Sequence, residues 1–405
     1  MEHKPSQLVV MPFIGLLYRN LNNVCQLIFF IIGISLGVVA TLCFLYPVTS
    51  PITTLPDLFP PPLPSSHPLS LTLPPQSPSL PLEVFSYSSG NYINSNSTRA
   101  WLNISLMHNM TDQELFLKAT TVSKTRDFSN KAVPKVAFMF LAKGALPLAP
   151  LWEKFFKGHD AFYSIYLHQH PSFNETVPQD SVFYGRKVPS QAVFWGTTSM
   201  IDAERRLLAN ALMDLSNQRF VLLSESCIPL FGFRTIFDYL MNSSMSFLGS
   251  FDDPRRDARG RYSPKMWPTI NLTNWRKGSQ WFEVHRELAI HIVSDTKYYP
   301  IFQKYCHPPC YADEHYLPTF VHTMYPQLNS NRSLTLVDWS RRGPHPRTFG
   351  WHDITDESLN HVRFGSTCVY DGNPTNTCFL FARKFHPSAL NPLLRVSPLL
   401  FGVDT

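Results

Sequence analysis

Hydrophobic and polar positions divide the chain into stretches of different character. Val24 to Tyr46 is 23 residues without a charge, dominated by Ile, Leu, Phe, Val and Gly. As a helix it would rise about 35 Å, enough to cross a bilayer core with some tilt. From Pro47 to Pro81 all periodicity is lost. Twelve prolines in 35 residues, mixed with Ser, Thr and Leu, predict an extended polyproline II spacer. Further on, apolar runs of strand length alternate with helical stretches. Lys135–Ala142 (KVAFMFLA), Ala161–Leu167 (AFYSIYL), Arg219–Ser224 (RFVLLS) and Ser246–Phe251 (SFLGSF) read as strands. Asp112 to Thr120, Pro147 to Phe156 and Ser199 to Leu215 read as helices. In the last, Ser199 with Asp202 gives a start signal, and Leu207, Leu208, Ala211, Leu212 and Leu215 share a face.

Strands separated by helices of this size predict an α/β domain with a mostly parallel sheet flanked by helices, its buried strands near-continuously apolar. Ligands in such sheets sit at the carboxyl ends of strands. The loops after Ala142, Leu167, Ser224 and Phe251 are therefore the places to look.

Charge sets the orientation. Lys4 and Arg19 precede the apolar segment, and no Lys or Arg follows it until Arg99, a bias that holds the N-terminus in the cytosol. A signal peptide is the alternative, with an apolar region of only about 7–15 residues and a small-residue cleavage site. Phe44-Leu45-Tyr46-Pro47 offers no such site, so an uncleaved anchor is expected. The layout is then a cytosolic tail (1–23), a transmembrane signal anchor (24–46), a proline-rich stem (47–90), a lead-in (91–134), a large lumenal domain (135–390) and a C-terminal tail (391–405). Seven Asn-x-Ser/Thr sequons, at Asn96, Asn103, Asn109, Asn174, Asn242, Asn271 and Asn331, all fall on the lumenal side of that layout.

Five cysteines lie there too, and an oxidising lumen favours pairing, with one left over. Cys306 with Cys310 and Cys368 with Cys378 are the nearest partners, leaving Cys227. Cys306-His307-Pro308-Pro309-Cys310 also suggests part of a metal site, but no second ligand pair stands at zinc spacing. Hydrophobic residues make up 44% of the chain and charged residues 16%, so a large core can form. The net charge of +6 is spread without a dense patch, which argues against nucleic acid and suits an anionic ligand such as a nucleotide diphosphate.

The blocks LLSESCIPL (Leu222–Leu230), SFDDPRRDARGRY (Ser250–Tyr262), WRKGSQWFEVHRELA (Trp275–Ala289), CYADEHYLPT (Cys310–Thr319), VDWS (Val337–Ser340) and FARKF (Phe381–Phe385) resemble, in order, the core-2/I-branching β-1,6-N-acetylglucosaminyltransferase family in its plant-type branch. The resemblance runs from about Val136 to Phe385. It implies a GT-A-like catalytic domain over 135–390, a UDP-sugar donor, a glycan acceptor, inversion at the anomeric carbon, no metal or other cofactor, and a Golgi membrane location. The acidic pair Asp252-Asp253 is adjacent rather than alternate, unlike the Asp-x-Asp of metal-dependent GT-A enzymes.

By this resemblance Glu314 is the base that deprotonates the acceptor hydroxyl; as a residue alone it reads equally as a helix-start carboxylate. Arg363 and Lys384 match the family's cations for the leaving diphosphate. Arg383 is a rival to Lys384, and surface solubility is the ordinary reading of any Arg or Lys. Trp339 matches roughly an acceptor-lining aromatic, with core packing as the alternative. Ser279 and Trp281 follow Gly278 in a turn suited to a sugar, and Arg261 and Lys265 are further acceptor contacts. Two departures bear on the donor. The first strand ends Ala142-Lys143-Gly144 where animal members have a His that touches the uracil, and His168 stands where an acidic residue is expected. UDP-xylose and UDP-glucuronate thus remain open beside UDP-N-acetylglucosamine, as does a catalytically silent sugar-binding scaffold.

Overall fold

The computed structural model describes residues 106–125, 133–341 and 343–402. The expected anchor, the stem, Asn96 and Asn103 lie outside them. Among the described residues no helix is long and apolar enough to cross a membrane.

The chain enters by α1 (Asp112–Thr125) and then alternates β1 (Lys135–Ala142), α2 (Ala149–Phe156), β2 (Tyr163–Gln169), α3 (Ser199–Leu212) and β3 (Asn217–Leu223). Next come β4 (Ile228–Pro229), α4 (Phe233–Asn242), β5 (Glu283–His285), α5 (Arg286–Ser294), α6 (Tyr299–Tyr305) and α7 (Ala312–Met324). The last stretch holds β6 (Thr335–Val337), α8 (Asp356–Phe364), β7 (Cys368–Tyr370), β8 (Asn373–Thr375), β9 (Phe381–Arg383), α9 (Leu390–Arg395) and α10 (Ser397–Phe401). The main sheet runs β2-β1-β3-β5, with β1 parallel to both neighbours and β5 antiparallel to β3. This is the parallel-rich, helix-flanked α/β arrangement expected. A second sheet, β4-β9-β6, joins the chain after β3 to two later segments.

β1 is central, and every side chain from Val136 to Ala142 is buried. Phe138 sits in an aromatic cluster, edge-on to Trp152, Phe155, Phe156 and Phe381 at 5.0–6.4 Å, the offset geometry that ring quadrupoles favour. The residues expected as a C-terminal tail instead form α9 and α10, with Leu393, Leu400 and Phe401 buried. A Cβ at Gly232 would stand 2.7 Å from the Phe401 carbonyl oxygen, so only glycine lets α10 dock so closely.

Three element expectations shift. The α3 helix stops at Leu212, not Leu215, because Asp214 turns the chain: its side chain accepts from the Ser216 N–H and its carbonyl from the Asn217 N–H. Arg286 then covers the Leu212 and Asp214 carbonyls, groups that a helix end leaves bare. Ser199 and Asp202 form no capping box. Ser199 Oγ takes the Phe194 N–H, and Asp202 accepts from the Tyr299 hydroxyl. Ser246 to Phe251 is no continuous strand either. It runs beside the 277–283 segment through isolated bridges, Phe247 to Glu283 and Phe251 to Lys277, because the backbones of Gly249 and Gly278 press together between them.

Cys306 is bonded to Cys310 and Cys368 to Cys378; Cys227 is a buried free thiol. Asn109, Asn174, Asn242, Asn271 and Asn331 are all exposed, as a bulky glycan requires.

Candidate active site

The disulfide-closed loop 306–310 leads into Tyr311, whose φ of 56° is left-handed and unusual for a residue with a side chain. That turn starts α7, with Asp313 and Glu314 in the first turn, where the helix dipole favours carboxylates. Glu314 Oε2 accepts from Arg261 Nη1 at 2.5 Å and lies 3.2 Å from Lys277 Nζ. Its Oε1 has no partner among the described residues. The side chain is 28% exposed, open to solvent yet held between two cations.

Each neighbour has a local cause. Arg261 ends a 3-10 turn, 259–261, in the segment whose acidic pair is already engaged: Asp252 with Arg259, and Asp253 with Arg255 at 2.6 Å. Lys277 is fixed by backbone bonds to Phe251 in both directions, at 2.9 Å, and by Asp257 at 3.3 Å. Gly278 donates its N–H to the Glu314 carbonyl at 2.9 Å. A Cβ there would lie 1.9 Å from the Gly249 oxygen and 2.7 Å from Pro318, an overlap that no small shift relieves. His315 stacks on Trp275 at 4.5 Å and donates from Nδ1 to the Arg276 carbonyl at 2.8 Å. Burial pushes its pKa down to about 3, so it is a neutral brace for the 275–278 loop, its Nδ1 proton committed to the Arg276 carbonyl, and carries no charge.

Behind Glu314 the acids are buried. Asp313 is 7% exposed with Oδ1 unpartnered; burial, and after it the Glu314 charge, push its carboxyl up to about 6. Glu204, on α3, is fully enclosed and accepts from Gln280 Nε2 at 3.0 Å. Burial raises its pKa well above the usual carboxylate range.

The second sheet carries the other candidates. Val337 is the register partner of Arg383 in the parallel β6–β9 pair, so Asp338-Trp339 and Lys384 leave at one end. Trp339 is 55% exposed and takes no part in the core. Lys384 is half-buried, its carbonyl accepting from the Phe349 N–H. Arg383 lies over the ring of Trp281 at 4.1 Å; its Nε is buried without a partner, and burial depresses its pKa. Trp281 itself is buried, and Ser279 Oγ accepts from its N–H at 3.2 Å. The segment 278–281 therefore runs from the Glu314 carbonyl to the Arg383 guanidinium. Lys265 is exposed on the 264–266 turn. Arg363 is set apart from these contacts: it donates to the Leu399 carbonyl at 3.0 Å and packs on Phe231 and Phe364.

At the main sheet's carboxyl edge, Gln169 Nε2 donates to the Gly144 carbonyl at 2.9 Å, tying the ends of β1 and β2. His168 is buried, and burial, with Arg206 adding to it, lowers its pKa to about 4. It brings no charge to that edge.

A family model described as core-2/I-branching enzyme matches residues 136–363, more than half of the chain. The chain belongs to the core-2/I-branching enzyme family. It is also 37% identical over 310 residues to glycosyltransferase BC10 of Oryza sativa subsp. japonica, covering 65% of this chain and 76% of the rice protein. The resemblance read from the sequence is shown by these matches, and the protein is a glycosyltransferase. As a core-2/I-branching enzyme it uses a nucleotide-sugar donor and a glycan acceptor.

Within this family frame, sequence reasoning passed over Lys277, the second cation on Glu314, although it stands inside the WRKGSQ block. Its role arises only from the Phe251–Lys277 pairing. It also left out the buried acid Glu204 and gave Asp313 no part beyond a helix-start carboxylate, since nothing but burial distinguishes them from surface carboxylates.

Proposed function

We propose that this core-2/I-branching enzyme is an inverting transferase that moves a sugar, first of all N-acetylglucosamine, from a UDP-sugar to a glycan hydroxyl without a metal. The observation that carries the reading is the state of Glu314. Both of its cations sit on Oε2, which leaves Oε1 available as a proton acceptor. As the acceptor oxygen attacks the anomeric carbon, its proton passes to Oε1 and the UDP departs from the opposite face. The charge left on the diphosphate then falls to Lys384, with Arg363 assigned by family resemblance. Arg363 commits one donor to Leu399 and retains the rest. Asp252 and Asp253, each closed onto an arginine, support leaving these carboxylates out of the donor site. UDP-xylose or UDP-glucuronate is a second reading, favoured by the uncharged His168 and by Gly144 at the strand ends.

The test is transfer and hydrolysis by the full-length chain with UDP-N-acetylglucosamine, UDP-xylose and UDP-glucuronate, with and without a strong chelator. Turnover of one donor, undiminished by the chelator, is expected. Silence with all of them would leave a sugar-binding scaffold as the better reading. Activity lost to the chelator and restored by manganese would sink the metal-free account.

We further propose a single-pass type II Golgi placement with the catalytic domain lumenal. The charge-free segment 24–46 with its flanking basic bias, the proline-rich stem and the exposed sequons support it. Full-length chain from a eukaryotic host should lose apparent mass on treatment with an N-glycosidase; an unshifted band counts against lumenal exposure.

A further inference from the structure

One group of side chains beside Glu314 is used by nothing so far described. Trp195 is 61% exposed and Phe194 65%, although burying a large apolar side chain is ordinarily worth about 1.5–3 kcal/mol. The loop that carries them is built to hold them out. Ser199 Oγ takes the Phe194 N–H at 2.9 Å, Thr197 Oγ1 donates to the Phe194 carbonyl at 2.8 Å, and Gly196 has a φ of 76°. A Cβ on Gly196 would lie 2.8 Å from the Tyr311 ring, so the loop rests directly on Tyr311.

From there the contacts lead to the base. The Trp195 and Tyr311 rings are 4.9 Å apart and inclined by 51°. Arg261 lies over the Tyr311 ring at 4.4 Å, and the same guanidinium holds Glu314 at 2.5 Å. The His345 ring stands 6.2 Å from that of Trp195. An exposed aromatic surface thus joins, without a break, the cation on the catalytic carboxylate.

We propose that Trp195 and Tyr311 form an acceptor subsite that binds a sugar ring one or more units away from the hydroxyl being glycosylated. The inference rests on the reading of Glu314 as base, which places the reacting hydroxyl there. A pyranose has an apolar C–H face that packs on an aromatic ring and a rim of hydroxyls that needs donors. Trp195 supplies the first, braced by Tyr311, and Arg261 the second. Because the platform begins beyond Arg261 as seen from Glu314, a monosaccharide acceptor held at the base does not reach Trp195, whereas a longer glycan does. Trp195 therefore sets preference for acceptor length and touches neither the donor nor the transferred proton.

The test is calorimetric binding of uncharged β-linked galactose, glucose and xylose glycosides, from one to four sugars, to the full-length chain and its Trp195→Ala and Trp195→Phe variants. UDP binding is measured in parallel. In the wild-type chain affinity should rise from one sugar to two or three in at least one series. Trp195→Ala should lower affinity for the longer members about tenfold, leave monosaccharides and UDP unchanged, and be largely rescued by Phe. A wild-type affinity that does not grow with length, a Trp195→Ala variant that binds every length as the wild type does, or a loss confined to UDP would each overturn the proposal. Binding is read without turnover, so failure of every UDP-sugar to support transfer would defeat the function proposed above and leave this subsite to be judged by itself.

Discussion

Replacing Glu314 by Gln should cut sugar transfer by the full-length chain by about 10²–10⁴-fold, the range general-base removal commonly costs, while affinity for the UDP-sugar stays unchanged. The amide keeps the shape of the carboxylate and the backbone bond from Gly278 to the Glu314 carbonyl, so α7 and the 275–278 loop have no reason to move. What goes is the lone pair on Oε1 that takes the proton and the charge that Arg261 and Lys277 hold on Oε2. Those ion pairs are partly exposed and contribute about 0–1 kcal/mol each to stability, so the melting temperature should stay close to the wild type's. Transfer rate, donor affinity and thermal melting measured side by side separate the roles. A variant that keeps full turnover refutes the base assignment, and one that loses donor affinity in step with rate makes Glu314 a donor contact instead.

Much of this was legible in the sequence. KVAFMFLA reads as a buried parallel strand because an unbroken apolar run of that length has few other uses in a soluble domain, and it is the central strand of the sheet. The position of Glu314 at a helix start was legible too, since the adjacent acids Asp313 and Glu314 after the Cys306–Cys310 loop are a local signal. What escaped depended on contacts far apart in the chain. Lys277 meets Glu314 only because Gly249 and Gly278 allow two segments to close against each other. Ser199 and Asp202 spell a helix start, yet Ser199 turns back to Phe194 just before it and the distant Tyr299 takes Asp202, so neither caps the helix. Arg383 and Lys384 are adjacent in sequence, and no pattern told which of them would lie over Trp281.

That last pair changes how the cationic side is weighed. Arg383 is the more enclosed, with an Nε lacking any partner and a guanidinium spread over Trp281. An arginine so placed is ordered before any ligand arrives, and a pre-ordered guanidinium gives up less side-chain freedom on gripping phosphate. Lys384 beside it adds a point charge on a flexible stem. Arg363, by contrast, is fastened to the C-terminal helices through Leu399, and its share in holding a diphosphate rests on family resemblance rather than on its contacts.

Breaking the buried pair of Arg219 and Glu283 should be the most damaging change to stability. Both side chains are 1% exposed, with Nε 2.8 Å from Oε1 and a hydrogen bond from Nη2 to Oε2 at 3.1 Å. Arg219 also donates to the Ser243 and Met245 carbonyls, so it clamps β3, β5 and the chain after α4 together. Arg219→Leu leaves an unpaired buried carboxylate and bare carbonyls, a loss of about 3–5 kcal/mol, or roughly 5–9 °C in melting temperature for a domain of this size. The pH dependence has a definite sign. Burial already raises Glu283 to about 7 against the pull of Arg219, so this carboxyl contributes most stability when protonated and loses it as pH rises from its ordinary value through 7. Without Arg219 its pKa climbs further, and the extra cost grows by up to about 1.4 kcal/mol per pH unit above 7. The variant should therefore fall further behind the wild type at pH 8 than at pH 6. Arg219→Leu with Glu283→Leu should recover much of the loss, since two apolar chains of similar bulk leave no buried charge. A gap that does not widen with pH, or a double variant no better than the single, would show that the clamp acts through its carbonyl bonds and not through the ion pair.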